Sequence, residues 1–264
     1  MMLMRMLMNI GFIGTGVITE AIINGIIKSR YSTSNIYISL RSETVSTRLA
    51  KRSSKITVLD NNQDIVDRSD LVILALLPEK AEEVLAQLNF ANDPDIISLI
   101  ATLQIEQIRK WTSQTTTICR AVPLPSVADH NGITTVFPPN ERAEKLFGHL
   151  GQVVPLETLE AFDAFVTAGA TMGLYFDTLE TATQWLCVQG TQYQDARRFL
   201  AALFYGLAET TNNAPNLTFA ELRSGHSTPN GLNQQVFEDF RAVSGQEALV
   251  TALNSLQERI MKGR

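Results

Sequence analysis

The residues best placed to act together stand at the start of the chain, in Asn9-Ile10-Gly11-Phe12-Ile13-Gly14-Thr15-Gly16-Val17-Ile18-Thr19. A short apolar run, two glycines one residue apart and an apolar helical face from Val17 to Ile27 predict strand, tight turn and helix. Glycines at such a junction let the main chain approach a pyrophosphate. The first free N–H groups of the helix, with its dipole, then bind the anion. The spacing is that of the G-x-G-x-x-G dinucleotide fingerprint, with Thr19 in the third small position. That position serves close helix–strand packing, so Thr19 is expected to loosen the packing while leaving the phosphate site in place. Gly14, Thr15, Gly16, Val17 and Ile18 are the candidate cofactor contacts.

The next strand, Ile36–Leu40, ends at Arg41-Ser42, where a carboxylate would grip the ribose hydroxyls of NAD. A guanidinium and a hydroxyl suit a 2′-phosphate instead, so NADP (as NADPH) is the expected cofactor and NAD the less favoured one. The alternative for Arg41 is a solvated surface cation.

These residues need a framework. Leu71–Leu76 is a continuous apolar run of the kind buried on both faces of a parallel sheet. Further strands read at Ile56–Leu59, Asp95–Ile100, Thr115–Cys119, Ile133–Phe137 and Gln152–Leu156. Helices read at Glu43–Arg52, Asn62–Arg68, Glu79–Leu88, Ile105–Trp111 and Asn140–Leu150. The alternation implies an α/β, Rossmann-type doubly wound sheet. From Glu157 the strand signal stops. Helical periodicity runs to Thr210 with a break at Gly190, a turn follows at Asn212–Pro215, and Phe219–Arg223 and Asn233–Lys262 read as helix. The expected organisation is a nucleotide-binding domain over 1–156 and an all-helical domain over 157–264. The helical part is apolar for its size, which suggests pairing with a second copy as a homodimer or higher homo-oligomer.

The 264 residues, 45% hydrophobic and 19% charged, are those of a globular protein with ample core. A net charge of −5 argues against phosphate-backbone binding, so nucleic acid is not an expected partner. No run reaches membrane-spanning length. Cys119 and Cys187 lie in apolar segments and read as free thiols, which points to the cytoplasm. Met1–Met8 reads as a ragged extension, with Met8 a second candidate start.

No HExxH, Cys/His cluster or G-x-S-x-G elbow occurs, so neither a metal nor a covalent nucleophile is expected. His149 reads as a surface residue and His130 as an ordinary loop histidine. His226 precedes Thr228-Pro229-Asn230-Gly231, near the inferred substrate end, and a role as proton donor stays open for it. Tyr175 reads as helix core or, with Thr171 one turn before it on the same face, as a pair of hydroxyls orienting a polar substrate. Asn230, Gly231 and Asn233 form a turn opening the last helix, where free N–H groups could hold a carboxylate. A plain N-cap by Thr228 is the alternative.

Several of these segments together resemble the pyrroline-5-carboxylate reductase family, which reduces a cyclic imine to proline with a nicotinamide cofactor. Asn62 falls where that family places an Asn beside the adenosine. Leu74-Ala75-Leu76-Leu77-Pro78 resembles its Ala-Val-Lys-Pro segment, with Leu77 at the Lys position, so Ala75, Leu77 and Pro78 join the implied cofactor contacts. Ser98-Leu99-Ile100-Ala101, Arg120-Ala121-Val122-Pro123 and Gly132-Ile133-Thr134 are similar to its Ala-Ala-Gly, Arg-x-Met-Pro and Gly-Met-Thr segments. Asp163, Tyr175, Gly190, Asp195-Ala196 and Gly206 fall at similar spacings.

The departures cluster where the family holds its substrate. Its Asn-Thr-Pro is here Leu124-Pro125-Ser126, its Ser-Gly-Ser-Gly-Pro is Gly169-Ala170-Thr171-Met172-Gly173, and its Gly-Gly-Thr-Thr is Asn230-Gly231-Leu232-Asn233. The resemblance implies Thr171, Asn230 and Asn233 as catalytic candidates, with Tyr175 and Gly231 as substrate contacts. It implies hydride transfer from the nicotinamide to the C=N bond of a small cyclic imino acid. A relative with a different small carboxylated substrate, or a non-catalytic nucleotide-binding protein, stays open beside it. A β-hydroxyacid-dehydrogenase-like plan is disfavoured, because no Lys lies between Glu157 and Arg197.

Overall fold

The computed structural model describes residues 7–40, 43–112 and 117–262. The first part of the chain runs β1 (Met8–Ile13), α1 (Val17–Lys28), β2 (Thr33–Ser39), α2 (Glu43–Ala50), β3 (Ile56–Leu59), α3 (Asn62–Arg68) and β4 (Leu71–Leu74). It continues through α4 (Pro78–Leu85), β5 (Asp95–Ser98), α5 (Ile105–Thr112), β6 (Ile118–Pro123), β7 (Gly132–Phe137), α6 (Glu141–Gly148) and β8 (Gly151–Pro155). The strands form one eight-stranded sheet in the order β3-β2-β1-β4-β5-β6-β7-β8. Only the β6–β7 pairing is antiparallel among the described residues. The expected doubly wound α/β sheet is the observed one.

Period-two alternation divides the buried strand residues between two cores. Ile10, Phe12, Leu71 and Ile73 face Ile22, Ile23 and Ile26 of α1, while Ile13, Val72 and Leu74 share the other core with Ile65 and Val66 of α3 and Ile108 of α5. Burial on both faces explains why β4 has no polar residue at all. The chain moves from β1 outward to β2 and β3, then returns to place β4 on the other side of β1. This reversal opens a crevice at the carboxyl ends of β1 and β4, where open α/β sheets take their ligands.

The helical part comprises α7 (Leu159–Gly169), α8 (Met172–Val188), α9 (Tyr193–Asn213), α10 (Phe219–Gly225), α11 (Leu232–Ala242) and α12 (Gly245–Lys262). By compactness the chain divides into two units. One runs up to Val166 and is rejoined by the segment from Arg259; the other is Thr167–Glu258. Most of α7 therefore belongs with the sheet, where Phe162 and Asp163 are fully buried. The segment from Arg259 buries Ile260.

Local corrections have local causes. The sixth strand is Ile118–Pro123, not Thr115–Cys119, because Arg120 finds buried partners and so continues the strand; residues 113–116 lie outside the described residues. β4 and β5 stop short of their apolar runs, whose ends become loops at the sheet edge. Pro123-Leu124-Pro125 leads into an unforeseen 3-10 turn, Pro125–Asp129. The run expected as one helix from Glu157 breaks at Ala170-Thr171, and that expected from Asn233 breaks at Val243-Ser244, where Ser244 adopts φ +62°.

Candidate active site

At the end of β1, Gly14 has φ +103°, and a Cβ there would lie 2.2 Å from the Ala75 carbonyl oxygen. Only glycine fits, because the turn is pressed against the β4–α4 loop. The Gly14 N–H donates to Ser39 Oγ at 3.1 Å, and the Thr15 hydroxyl donates to the Ser39 carbonyl at 2.6 Å. Thr15 is buried, so its side chain anchors the turn to β2 and only its main chain is left for a ligand. Ser39 completes this anchor. The strand pattern showed it only as a polar residue in an apolar run.

Gly16 is the N-cap of α1 and carries no side-chain cap. A Cβ at Gly16 would meet nothing within 4 Å. The first N–H groups of α1, those of Val17, Ile18 and Thr19, have no intrahelical carbonyl to bond, and the turn before them opens onto free space. That is a fitting seat for a pyrophosphate. Glu20, in the first turn, would oppose an anion. Arg48 on α2 offsets it with two hydrogen bonds of 2.8 and 2.7 Å, which hold the Glu20 carboxyl below its ordinary value.

Thr19 does not loosen the packing. Its side chain is fully buried and its hydroxyl donates to the Gly14 carbonyl at 2.7 Å. The third fingerprint position is filled by a residue that ties helix to turn.

Ala75 continues the sheet through its N–H to the Ile13 carbonyl at 2.9 Å, and Leu99 does the same to Leu74 at 2.9 Å. The loops after β1, β4 and β5 thus stand in a row along one edge. Leu77, 57% exposed, is the N-cap of α4, with Pro78 as its first residue. Asn62 opens α3 after Asn61, whose side chain caps it through the Gln63 N–H. Gly14, Gly16, Val17, Ile18, Asn62, Ala75, Leu77 and Pro78 therefore share this edge of the sheet. Arg41 and Ser42 lie outside the described residues.

At a second feature of this edge the motif reading named Arg120 and Asp163 but not their pairing. Arg120 on β6, 1% exposed, donates through Nη2 to the Ala101 carbonyl and through Nη1 to Gln104 Oε1 at 3.3 Å. Its Nη2 lies 3.8 Å from Oδ1 of the fully buried Asp163, and its guanidinium covers the Phe162 ring at 4.5 Å. An arginine inside the apolar strand Ile118-Cys119-Arg120-Ala121 was the sequence signal, since a buried cation requires a partner. Which carboxylate answered it is a tertiary fact.

In the helical unit, Thr171 is not on the helix but caps it. Its hydroxyl donates to the Ala168 carbonyl at 2.8 Å. Tyr175 packs edge-on against Phe176 and Phe204. Asn230 adopts φ +60° and its N–H is taken by Gln234 Oε1 at 3.0 Å. The cap of α11 is Gly231, not Thr228. Its N–H donates to the Thr228 carbonyl at 2.8 Å, and a Cβ there would strike Thr228 Oγ1 at 2.2 Å. The Asn233 side chain donates to the His226 carbonyl at 2.7 Å. These contacts fix the turn and leave the N–H groups of Leu232, Asn233 and Gln234 without intrahelical partners. No hydrogen bond or ion pair among the described residues links Thr171 or Tyr175 to this turn.

Each histidine has a local partner. His130 caps the 3-10 turn and bonds the Gly25 carbonyl at 2.9 Å, His149 packs edge-on to Tyr31, and His226 Nδ1 bonds the Leu222 carbonyl at 2.8 Å.

This geometry has counterparts. Residues 9–102 match a family model described as NADP oxidoreductase coenzyme F420-dependent. A pyrroline-5-carboxylate reductase of Haemophilus influenzae is 22% identical over 95% of this chain and 95% of its own length. The chain is similar to the pyrroline-5-carboxylate reductases. The solved structure of a pyrroline-5-carboxylate reductase from Coxiella burnetii superposes with a TM-score of 0.84 at 20% identity, covering 97% of this chain and 98% of that one. That of Plasmodium falciparum pyrroline carboxylate reductase, with NADP bound, gives 0.82 at 15% identity over 97% and 98%. Likeness to the pyrroline-5-carboxylate reductases thus extends over both the sheet and the helical unit.

Proposed function

We propose that this chain is an NADPH-dependent reductase of the pyrroline-5-carboxylate reductase type, acting on the C=N bond of a small cyclic imino acid, as in proline formation. The observation that carries it is the Gly14–Gly16 turn, shaped by the Ala75 carbonyl and open at Gly16, in a chain that matches those reductases along nearly its whole length. When bound, the nicotinamide supplies the hydride. The chain's own part is to hold and orient. The Val17 and Ile18 N–H groups take the pyrophosphate, Asn62 flanks the adenosine, and the Ala75–Pro78 loop walls the crevice. Thr171, whose hydroxyl proton is committed to Ala168, keeps lone pairs that accept from a protonated imine. The bare amides opening α11 suit a substrate carboxylate.

The test is NADPH oxidation by purified protein with pyrroline-5-carboxylate. Turnover supports the proposal; binding of NADPH without turnover on any cyclic imine refutes it. The second reading, a different small carboxylated substrate or a nucleotide-binding role without catalysis, is favoured by Leu232. It stands 82% exposed at the first position of α11, where the resemblance implies a hydroxyl. Cofactor choice rests on Arg41-Ser42: Arg41→Ala should weaken NADPH more than NADH, and equal loss removes the 2′-phosphate role. The proposed assembly is a homodimer through the helical unit, and the proposed compartment is the cytoplasm, which suits the free thiols Cys119 and Cys187.

A further inference from the structure

Among the buried polar groups of the sheet unit, Arg120 has the most partners, and they converge on one place. It sits on β6 opposite Ser98, the last residue of β5, and reaches forward to the loop that follows β5. One nitrogen holds the Ala101 carbonyl, another holds Gln104 immediately before α5, and Asp163 and Phe162 of α7 close over it. The loop from Leu99 to Gln104 is thus clamped at both ends of its outer half by one side chain.

The position of that loop gives the clamp its meaning. In a doubly wound sheet the β1-β2-β3 half takes one mononucleotide and the β4-β5-β6 half takes the other, across the switch point. The Gly14 turn and Asn62 belong to the first half. The loop after β5 belongs to the second, where the nicotinamide mononucleotide falls. We propose that Arg120, neutralised by Asp163, is a positioning residue for the nicotinamide half of the cofactor: it sets the main chain of Ala101–Gln104 against which the ring is oriented, and it has no part in holding the adenosine half. This inference rests on the cofactor reading above.

The chemistry favours arginine for this task. A planar guanidinium offers five donors in a fixed fork, so it can satisfy a carbonyl, an amide oxygen and a carboxylate at once while one face covers an aromatic ring. A lysine ammonium keeps the charge beside Asp163 but cannot span Ala101 and Gln104 together. Arg120→Lys is therefore the informative change, since it leaves no unbalanced buried carboxylate. Gln104→Ala removes one arm of the clamp without touching the buried pair, and serves should the lysine variant fold poorly.

The experiment compares the whole cofactor with its adenosine half. Wild type, R120K and Q104A are titrated with NADPH, following nicotinamide fluorescence, and with adenosine 2′,5′-bisphosphate by calorimetry. The expected result is that R120K weakens NADPH about tenfold and Q104A about threefold, with affinity for the bisphosphate unchanged, as loss of one hydrogen bond to a charged group implies. The emission of bound NADPH should also move towards that of free NADPH in R120K. A merely structural role would weaken both ligands alike or neither, and either pattern overturns the inference while the cofactor reading stands. Failure of the wild type to bind NADPH overturns the cofactor reading itself, and the inference with it.

Discussion

Thr19 shows how one side chain can occupy a position reserved by a motif and still serve the motif's purpose. The third small residue of the fingerprint lets helix and strand approach; Thr19 achieves the same closeness by donating to the Gly14 carbonyl from full burial. Thr19→Gly would restore the textual fingerprint, yet it removes a buried hydrogen bond and places glycine inside a helix. We expect a stability loss of about 2 kcal/mol by urea denaturation, with no gain in NADPH affinity. Unchanged stability would mean that the bond contributes nothing. Cys119 makes a second prediction at this scale. Burial pushes its thiol up to about 12, from an ordinary 9.0. The folded state therefore keeps the proton where the unfolded chain releases it, so stability is intact below pH 9 and falls between pH 9 and pH 12. At pH 10 the loss should be about 1.4 kcal/mol. Denaturation of wild type and Cys119→Ala at pH 8 and pH 10 isolates it: only the wild type should show this component, and parallel losses would refute it.

Among the elements, those defined by apolar periodicity were legible and those defined by distant partners were not. β1, β4 and α1 announce themselves because burial on both faces, or along one stripe, leaves a pattern that needs no knowledge of neighbours. β6 was displaced because its central Arg120 looks like a strand breaker until Asp163, Gln104 and Ala101 are placed around it. The turns at Thr171 and Ser244 were hidden because neither a hydroxyl donating to its own chain, as at Thr171, nor a residue at φ +62°, as at Ser244, leaves a periodic trace. In the candidate site the phosphate turn was readable from its glycines. The uses of Ser39 and Thr15 were not, since both are spent on fixing one strand end to another. The start of α11 carries the prediction of this scale. Gly231 is required there by Thr228, but Leu232 is free to change. Leu232→Thr should leave stability within about 0.5 kcal/mol and raise kcat/KM for pyrroline-5-carboxylate, if this turn holds the substrate carboxylate. An unaltered kcat/KM would remove the turn from the site.

For the whole molecule, the helical unit is the part that looks unfinished. α10 and α11 bury no residue at all, while Phe176 and Val188 on α8 stand 66% and 82% exposed. Apolar surface on this scale calls for a partner, and a second copy offers the same face in return. Sedimentation should show a dimer at micromolar concentration. Phe176→Glu together with Val188→Glu should yield monomers with a lowered thermal midpoint, and an undisturbed dimer would place the interface elsewhere.

The return of the segment from Arg259 to the sheet unit, with Ile260 buried, bears on how the protein is made. A chain leaving the ribosome presents all eight strands first, yet the unit they form stays incomplete until the last turns of α12 have been synthesised. A product that stalled anywhere in the second unit would carry the fingerprint and all eight strands, but not the helical segment that buries Ile260.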